Sequence, residues 1–268
     1  MRQVPQKTIH LFKQKKTAGE PIAMITCYDY ASAKIIAQTS IDCVLVGDSV
    51  AMVMHGHDST IHADMNMMLL HTRAVARGLG GQFLVADLPF LEHRQGKAHT
   101  IRQAGELIRA GAQAIKVEGG DVECCAQIEA LTTAGIPVMG HLGLTPQSIH
   151  TLGGHRVQGK LTETAERIQK QALELEKAGC FALVLECVPE ELAAKISKQL
   201  NIATIGIGAG THTDGQVLVW HDVLGLQDTI APRFIQKYLD SKPLMTNALD
   251  TYVQAINKRL FPAPEHCY

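Results

Sequence analysis

The sequence has no apolar run near the about eighteen residues that a membrane-crossing helix requires. Its opening stretch, MRQVPQKTIHLFKQKK, is polar and basic, with no apolar centre of the kind an export signal carries. Both absences predict a soluble cytoplasmic protein that neither spans nor enters a membrane. Charge of one sign is missing too, since 25 Lys and Arg stand against 26 Asp and Glu for a formal net charge of -1. Without a positive excess there is no electrostatic footprint for nucleic acid or an anionic lipid surface, which favours small-molecule chemistry. The seven cysteines are an odd set with no CxxC spacing. Cys27, Cys43 and Cys187 lie in or beside apolar runs, where a free thiol acts as a small hydrophobe, and the adjacent Cys124 and Cys125 suit neither zinc nor an easy disulfide. That usage fits a reducing compartment. No repeat, low-complexity tract or Gly/Ser linker divides residues 1–268, which read as one domain with a helical lead-in before Pro21.

What is present is alternation. Eight short apolar runs recur, IAMITCYD, CVLVGDS, FLVADLP, AIKVEGG, PVMGHLGL, FALVLECV, ATIGIGAG and VLVWHDV. They are continuously hydrophobic, as strands of a parallel sheet buried on both faces must be. Helical patterns separate them, with Ile101, Ala104, Leu107 and Ile108 on one face of 100–111, and Leu192, Ile196 and Leu200 aligned after Pro189. Eight such units predict a closed (β/α)8 TIM barrel of right-handed βαβ units. A doubly wound sheet would want a GxGxxG turn after its first strand, and none is there. The late GIGAG at 206–210 reads as close backbone packing. Only about a dozen residues join the seventh and eighth strands, too few for a crossover helix. From Pro232 onward the chain reads as helices, with Leu249, Val253, Ile256 and Leu260 on one face before Pro262, packed outside the barrel or against a partner.

Barrel enzymes place their chemistry at the carboxyl ends of the strands. There this sequence has Gly47-Asp48-Ser49, Asp87, Lys116-Val117-Glu118, His141 and Glu186. Lys116 and Glu118, two apart on one strand, point the same way. A single carboxylate at such a place is usually a helix cap, but Asp48, Asp87 and Glu118 converge from three successive strands and repel one another unless a cation joins them. Oxygen ligands without a Cys or His cluster favour magnesium or manganese over zinc. Such an ion beside Lys116 suits a 2-oxo acid, whose carboxylate and ketone oxygens it can hold while the carbon next to the ketone loses a proton. Glu186, after an apolar run and across the mouth, is the candidate base, the alternative being a structural pair with Lys116. His55, His57 and His62 in MHGHDSTIHAD raise a zinc reading, against which loop shaping weighs because the motif follows a strand instead of ending one. The stretch 143–160, GLTPQSIHTLGGHRVQGK, is long for a barrel loop and reads as an active-site cover, with Gly153 and Gly154 as hinges.

At these residues the sequence resembles the ketopantoate hydroxymethyltransferase family, nearly end to end. The stretches that carry the resemblance are TCYDYASAK, LVGDSVAMVMHGHDST, ADLPF, IKVEGG, GHLGLTPQS, VQGK, LVLECVP and IGIGAGTHTDGQVLVWHDVLG. The resemblance implies a barrel of the phosphoenolpyruvate/pyruvate-binding type, with one Mg2+ per subunit held by Asp48 and Asp87 and with Glu118 completing its surroundings directly or through water. Asp48, Ser49, Asp87, Lys116 and His141 would contact the 2-oxo acid. Glu186 would take a proton from C3 of 3-methyl-2-oxobutanoate, and the enolate would attack the one-carbon unit of 5,10-methylenetetrahydrofolate to give 2-dehydropantoate. A homo-oligomer, a decamer of stacked pentamers, is also implied. The departures are peripheral: HRVQGK, the Cys124-Cys125 pair and a longer segment over 91–100. Three rivals remain: a 2-oxo acid enzyme of the phosphoenolpyruvate mutase and isocitrate lyase kind, whose reactive-cysteine loop is missing here, a His-metal hydrolase, and a barrel without activity that binds metabolites.

Overall fold

The structure, a computed structural model, describes residues 7–227 and 232–268. The first six residues of the polar opening stretch lie outside it. The chain falls into two compact units, Met1–Leu218 and Val219–Tyr268.

The first unit is a closed barrel of parallel strands in sequence order: β1 Ile22–Thr26, β2 Cys43–Val46, β3 Phe83–Asp87, β4 Ala114–Glu118, β5 Val138–Gly143, β6 Ala182–Glu186, β7 Ala203–Ile207 and β8 Gly215–Leu218. Pairing of β8 with β1, at Met24 against Val217, closes it. Helix α1 (His10–Ala18) precedes the barrel, and the crossovers carry α2 (Tyr30–Ile36), α3 (Val50–Val53), α4 (Met65–Gly78), α5 (Lys97–Arg109), α6 (Val122–Thr133), α7 (Ile149–Leu152), α8 (Thr162–Lys177) and α9 (Glu190–Gln199). No helix separates β7 from β8, as the short spacing predicts. The eighth strand differs from expectation: it is GQVL, starting at Gly215, and the WHDV part of the predicted run is a short helix. A side chain at Gly215 would collide with the Ile22 carbonyl at 2.5 Å, so glycine is what lets β8 lie against β1.

Side-chain alternation sorts each strand into inward and outward sets. The inward set at the amino ends is apolar: Ile22, Met24, Cys43, Leu45, Phe83, Val85, Ala114, Met139, Ala182, Val184, Ala203, Ile205 and Val217 form the buried core. Helix α1 closes that end. Its Phe12 is fully buried, with ring centroids 5.5 Å from Phe83 and 5.0 Å from Phe181 in edge-on contacts. Carried two residues further along β3, β4, β5 and β6, the same inward phase reaches Asp87, Lys116 with Glu118, His141 and Glu186. One alternation therefore builds an apolar floor and an ionisable mouth.

Asp42, just before β2, ties the floor together. It accepts from Lys7 Nζ at 2.8 Å, Lys15 Nζ at 2.5 Å and the Ala23 amide at 3.1 Å. Burial alone would raise its pKa, but the two lysines outweigh that and hold it below the usual carboxylate value. A carboxylate held low contributes stability that is present above its unfolded pKa and lost as pH falls through the folded one. Asp42→Asn is expected to lower stability by about 1–3 kcal/mol at neutral pH, removing charge-assisted bonds. In thermal melts of both proteins, the gap should close as pH falls from about 5 to below the folded value; a gap unchanged by acid would contradict the account.

The second unit holds α10 (Trp220–Val223) and α11 (Ser241–Asn257). The Tyr238 amide donates to the Val223 carbonyl at 2.8 Å, and the rings of Tyr252 and Phe261 meet edge-on at 5.7 Å. Leu249, Val253 and Ile256 do share α11, and they are exposed. Leu260 does not continue the helix, because α11 stops at Asn257 and Arg259 turns left-handed at φ 55°. None of the described helices is long and apolar enough to cross a membrane.

Candidate active site

Six ionisable side chains from five consecutive strands meet at the carboxyl end of the barrel. Gly47 lets the chain turn there: a Cβ would stand 2.9 Å from Ser49 Oγ. With that turn made, the Asp48 amide donates to Asp87 Oδ2 at 3.0 Å, and Ser49 Oγ lies 2.8 Å from the hydroxyl of buried Tyr28. Lys116 Nζ stands 2.9 Å from Asp87 Oδ1 and 3.5 Å from Glu118 Oε1, with all three side chains buried. Lys116 therefore pairs with Asp87 and Glu118, and Glu186 pairs elsewhere: its Oε2 lies 3.2 Å from His141 Nε2.

Electrostatics divide the carboxylates. Burial, then the charges of Asp87 and Glu118, push Asp48 well above its ordinary pKa. Asp87 is also raised, by burial and Glu118 against the opposing pull of Lys116. Glu118 goes the other way: burial opposes ionisation, but His141, Lys116 and the Gln147 amide bring it down to about 2. Burial and nearby Lys116 depress His141, yet Glu118 at Nδ1 and Glu186 at Nε2 outweigh them and hold it at about 9. His141 Nδ1 lies 3.2 Å from both Lys116 Nζ and Glu118 Oε1. A bare Nδ1 would accept from the lysine and a protonated one donates to the carboxylate; the raised pKa selects the imidazolium. Lys116 itself is lowered by burial but raised further by Asp87, Glu118 and Asp48, so it stays an ammonium.

A scan against protein-family models matches residues 6–264 to ketopantoate hydroxymethyltransferase. The chain belongs to the ketopantoate hydroxymethyltransferase family. It is 58% identical over 260 residues to the 3-methyl-2-oxobutanoate hydroxymethyltransferase of Legionella pneumophila, covering 97% of this chain and 99% of that one. It is 46% identical over 264 residues to the enzyme of that name from Francisella tularensis, covering 98% of each. Among solved structures, a phosphonopyruvate hydrolase complexed with oxalate and Mg++ superposes with a TM-score of 0.63 at 11% identity, over 97% of this chain and 93% of the other. A 2,3-dimethylmalate lyase of the PEP mutase/isocitrate lyase superfamily superposes with a TM-score of 0.56 at 14% identity, over 96% and 89%. At those identities the likeness is one of fold.

For this member of the ketopantoate hydroxymethyltransferase family, the donor set suits a hard cation. Asp48 and Asp87 are buried oxygen donors whose charges oppose one another, a strain that a divalent ion relieves. Glu118 already meets Lys116, His141 and a backbone amide. Among the described residues no three His, Cys, Asp or Glu side chains form a ready-made cage. Magnesium sites commonly have one or two carboxylates, with water and substrate completing the shell.

Two residues escaped the sequence reading. Gln147, in the short helical turn Pro146–Ser148, donates its backbone amide to Glu118 Oε2 at 3.0 Å, and its side-chain amide to Asp48 Oδ2 and the Leu88 carbonyl at 2.9 Å each. It lies inside GHLGLTPQS, but an amide carries no chemistry that marks it in a sequence. Tyr28, inside TCYDYASAK, is the other. Of the HGH-loop histidines, His55 reaches that neighbourhood: it meets His71 at 2.9 Å, and the other nitrogen of His71 bonds the Tyr28 carbonyl. His57 stacks on His62 with centroids 4.8 Å apart.

Proposed function

We propose that this chain transfers a hydroxymethyl group to C3 of 3-methyl-2-oxobutanoate, giving 2-dehydropantoate in pantothenate biosynthesis, with 5,10-methylenetetrahydrofolate as donor and magnesium as the ion. The reaction balances with one water: C3 gives up a proton and bonds to the donor's methylene carbon, both C–N bonds of that carbon break, water supplies the hydroxyl oxygen, and the two donor nitrogens take up protons. The observation that carries the reading is the convergence of Asp48, Asp87, Lys116, Glu118, His141 and Glu186 in one bonded network at the mouth of the barrel.

In that network Glu186 takes the C3 proton. His141, held as a cation, stands with Nε2 3.2 Å from Glu186 Oε2, a charge contact that keeps the base beside it and leaves the second carboxylate oxygen for the proton. Lys116 brings a fixed positive charge to the substrate oxygens, and Ser49, held by Tyr28, adds a hydroxyl beside Asp48. Asp48 and Asp87 would hold the ion, with Glu118 fixing Lys116 and His141 behind it. When bound, a divalent cation would draw electron density from the ketone oxygen and balance the charge left on the substrate. Near-neutral net charge fits partners that are small molecules, with neither nucleic acid nor membrane among them, and the exposed apolar side chains of α11 fit a homo-oligomer, a decamer in the cytoplasm.

Proton NMR of 3-methyl-2-oxobutanoate in deuterated water tests the reading. Magnesium-dependent loss of the C3 proton signal is expected without donor, and 2-dehydropantoate once the donor is added. Neither appearing, with turnover of phosphonopyruvate or glyoxylate instead, would overturn it. Asp48→Ala and Asp87→Ala are each expected to reduce magnesium-dependent exchange about a hundredfold or more, with weakened magnesium binding by calorimetry.

A further inference from the structure

Beside the mouth, a cavity of about 330 Å3 lies among the segment after β3, the ends of β4 and β5, α7 and α8. That volume falls within the range of about 300–1,000 Å3 typical of small-molecule sites. Glu118 and Gln147 line it and also belong to the network around Lys116 and Asp48, so a molecule in the cavity lies against the reacting centre. Its walls mix apolar side chains, Phe90, Leu91 and Leu152, with the polar groups of Gln171, Arg94 and Arg167.

His93 is the feature that the mechanism above does not use. It lines the cavity and is only 4% exposed, yet neither ring nitrogen has a hydrogen-bond partner among the described residues. A buried polar atom left unsatisfied opposes folding by about 1–3 kcal/mol, so an imidazole kept there with both nitrogens bare is a site awaiting something. Leu91, two residues before it, takes the left-handed region at φ 65°, a strained turn for a branched side chain. Burial and the neighbouring Arg94 depress the pKa of His93 to about 4, so at neutral pH the ring presents one donor and one acceptor. The cations differ in what they offer. Arg94 is held by both oxygens of Asp121, whereas Arg167, exposed on α8, makes no ion pair among the described residues.

We propose that this cavity is the subsite of the one-carbon donor, taking a flat heterocycle with a donor-and-acceptor edge against His93 and directing its anionic tail to Arg167. The inference rests on the folate-donor reading above, since a reduced folate combines those two parts. Phe90 and Leu91 supply the apolar face that a fused ring covers, and the open side at Arg167 leaves the charged tail in water.

The test uses the magnesium-loaded full chain, with 5-formyltetrahydrofolate as a binding probe and methylenetetrahydrofolate as substrate. His93→Leu, which keeps bulk and removes both nitrogens, is expected to weaken probe binding and raise the donor KM by about tenfold or more, with no loss of thermal stability. The KM of the 2-oxo acid should move less than about twofold, because its contacts lie elsewhere. Arg167→Glu, on an exposed helix face where folding is not at stake, should weaken the probe by about fivefold, more at low salt than at high. A lower melting temperature in His93→Leu with an unchanged donor KM would mark a structural histidine and overturn the subsite. So would wild-type probe affinity in Arg167→Glu and Leu152→Asp, whether or not His93→Leu folds. Either result with 2-dehydropantoate still formed would sink the subsite alone; a parent protein that neither exchanges the C3 proton nor binds the probe would take the proposed function with it.

Discussion

Glu186→Gln is expected to slow magnesium-dependent exchange at C3 of 3-methyl-2-oxobutanoate by about a hundred- to ten-thousandfold, the range that a positioned proton acceptor supplies. The substitution is nearly isosteric. The amide keeps the volume of the side chain beside His141 Nε2, and the ring's bond from Nδ1 to Glu118 does not involve residue 186, so the ring stays in place. What disappears is a carboxylate able to take a proton. Affinity for magnesium and for the 2-oxo acid should stay near that of the parent, since the groups that would hold both, Asp48, Asp87 and Lys116, are bonded to one another and not to Glu186. NMR exchange rates, with calorimetric titration of both ligands, separate the two effects. Exchange at the parental rate would remove Glu186 from the base role and leave the rest of the network standing.

Lys116→Met carries the largest expected effect on folding. Lys116 is 4% exposed, and its ammonium lies against Asp87 and Glu118. Removing it strands the buried Asp87 carboxylate without its cation and leaves Glu118 with His141 alone, for which a loss of about 3–5 kcal/mol is expected. Because the loss comes from uncompensated charge and not from lost volume, adding Asp87→Asn to Lys116→Met should restore part of it, and a double-mutant cycle in urea denaturation measures that coupling. A Lys116→Met protein as stable as its parent would mean that the lysine is not what neutralises Asp87.

Eight continuous apolar runs with helical stretches between them are legible as a parallel barrel because strands buried on both faces have no polar side to alternate with. Residues at strand ends are likewise legible as a site, since the barrel topology brings every carboxyl end to one rim. Lys116 and Glu118 were placed side by side by a spacing of two. The pairing of Glu186 was not legible: a structural partner for it, if any, was expected to be Lys116, and the fold gives it His141, three-dimensional neighbours on β5 and β6 that no spacing reveals. The start of β8 was missed because glycine and glutamine carry no strand signal; the close approach of Gly215 to Ile22 decides it.

By itself, then, the sequence determined the architecture, the six ionisable side chains of the mouth and the absence of one-signed charge, since each follows from local pattern and composition. Tertiary structure alone decided how charge is shared among those side chains. Proton affinity depends on burial and on distances of a few ångströms between residues far apart in the chain, so Asp48 is raised, Glu118 lowered and His141 held as a cation only once the barrel closes. The same holds for Gln147, whose amide joins Asp48 to Leu88 across 99 and 59 residues of sequence, and for His93, unremarkable as a letter and informative only as a buried ring without a hydrogen-bond partner among the described residues.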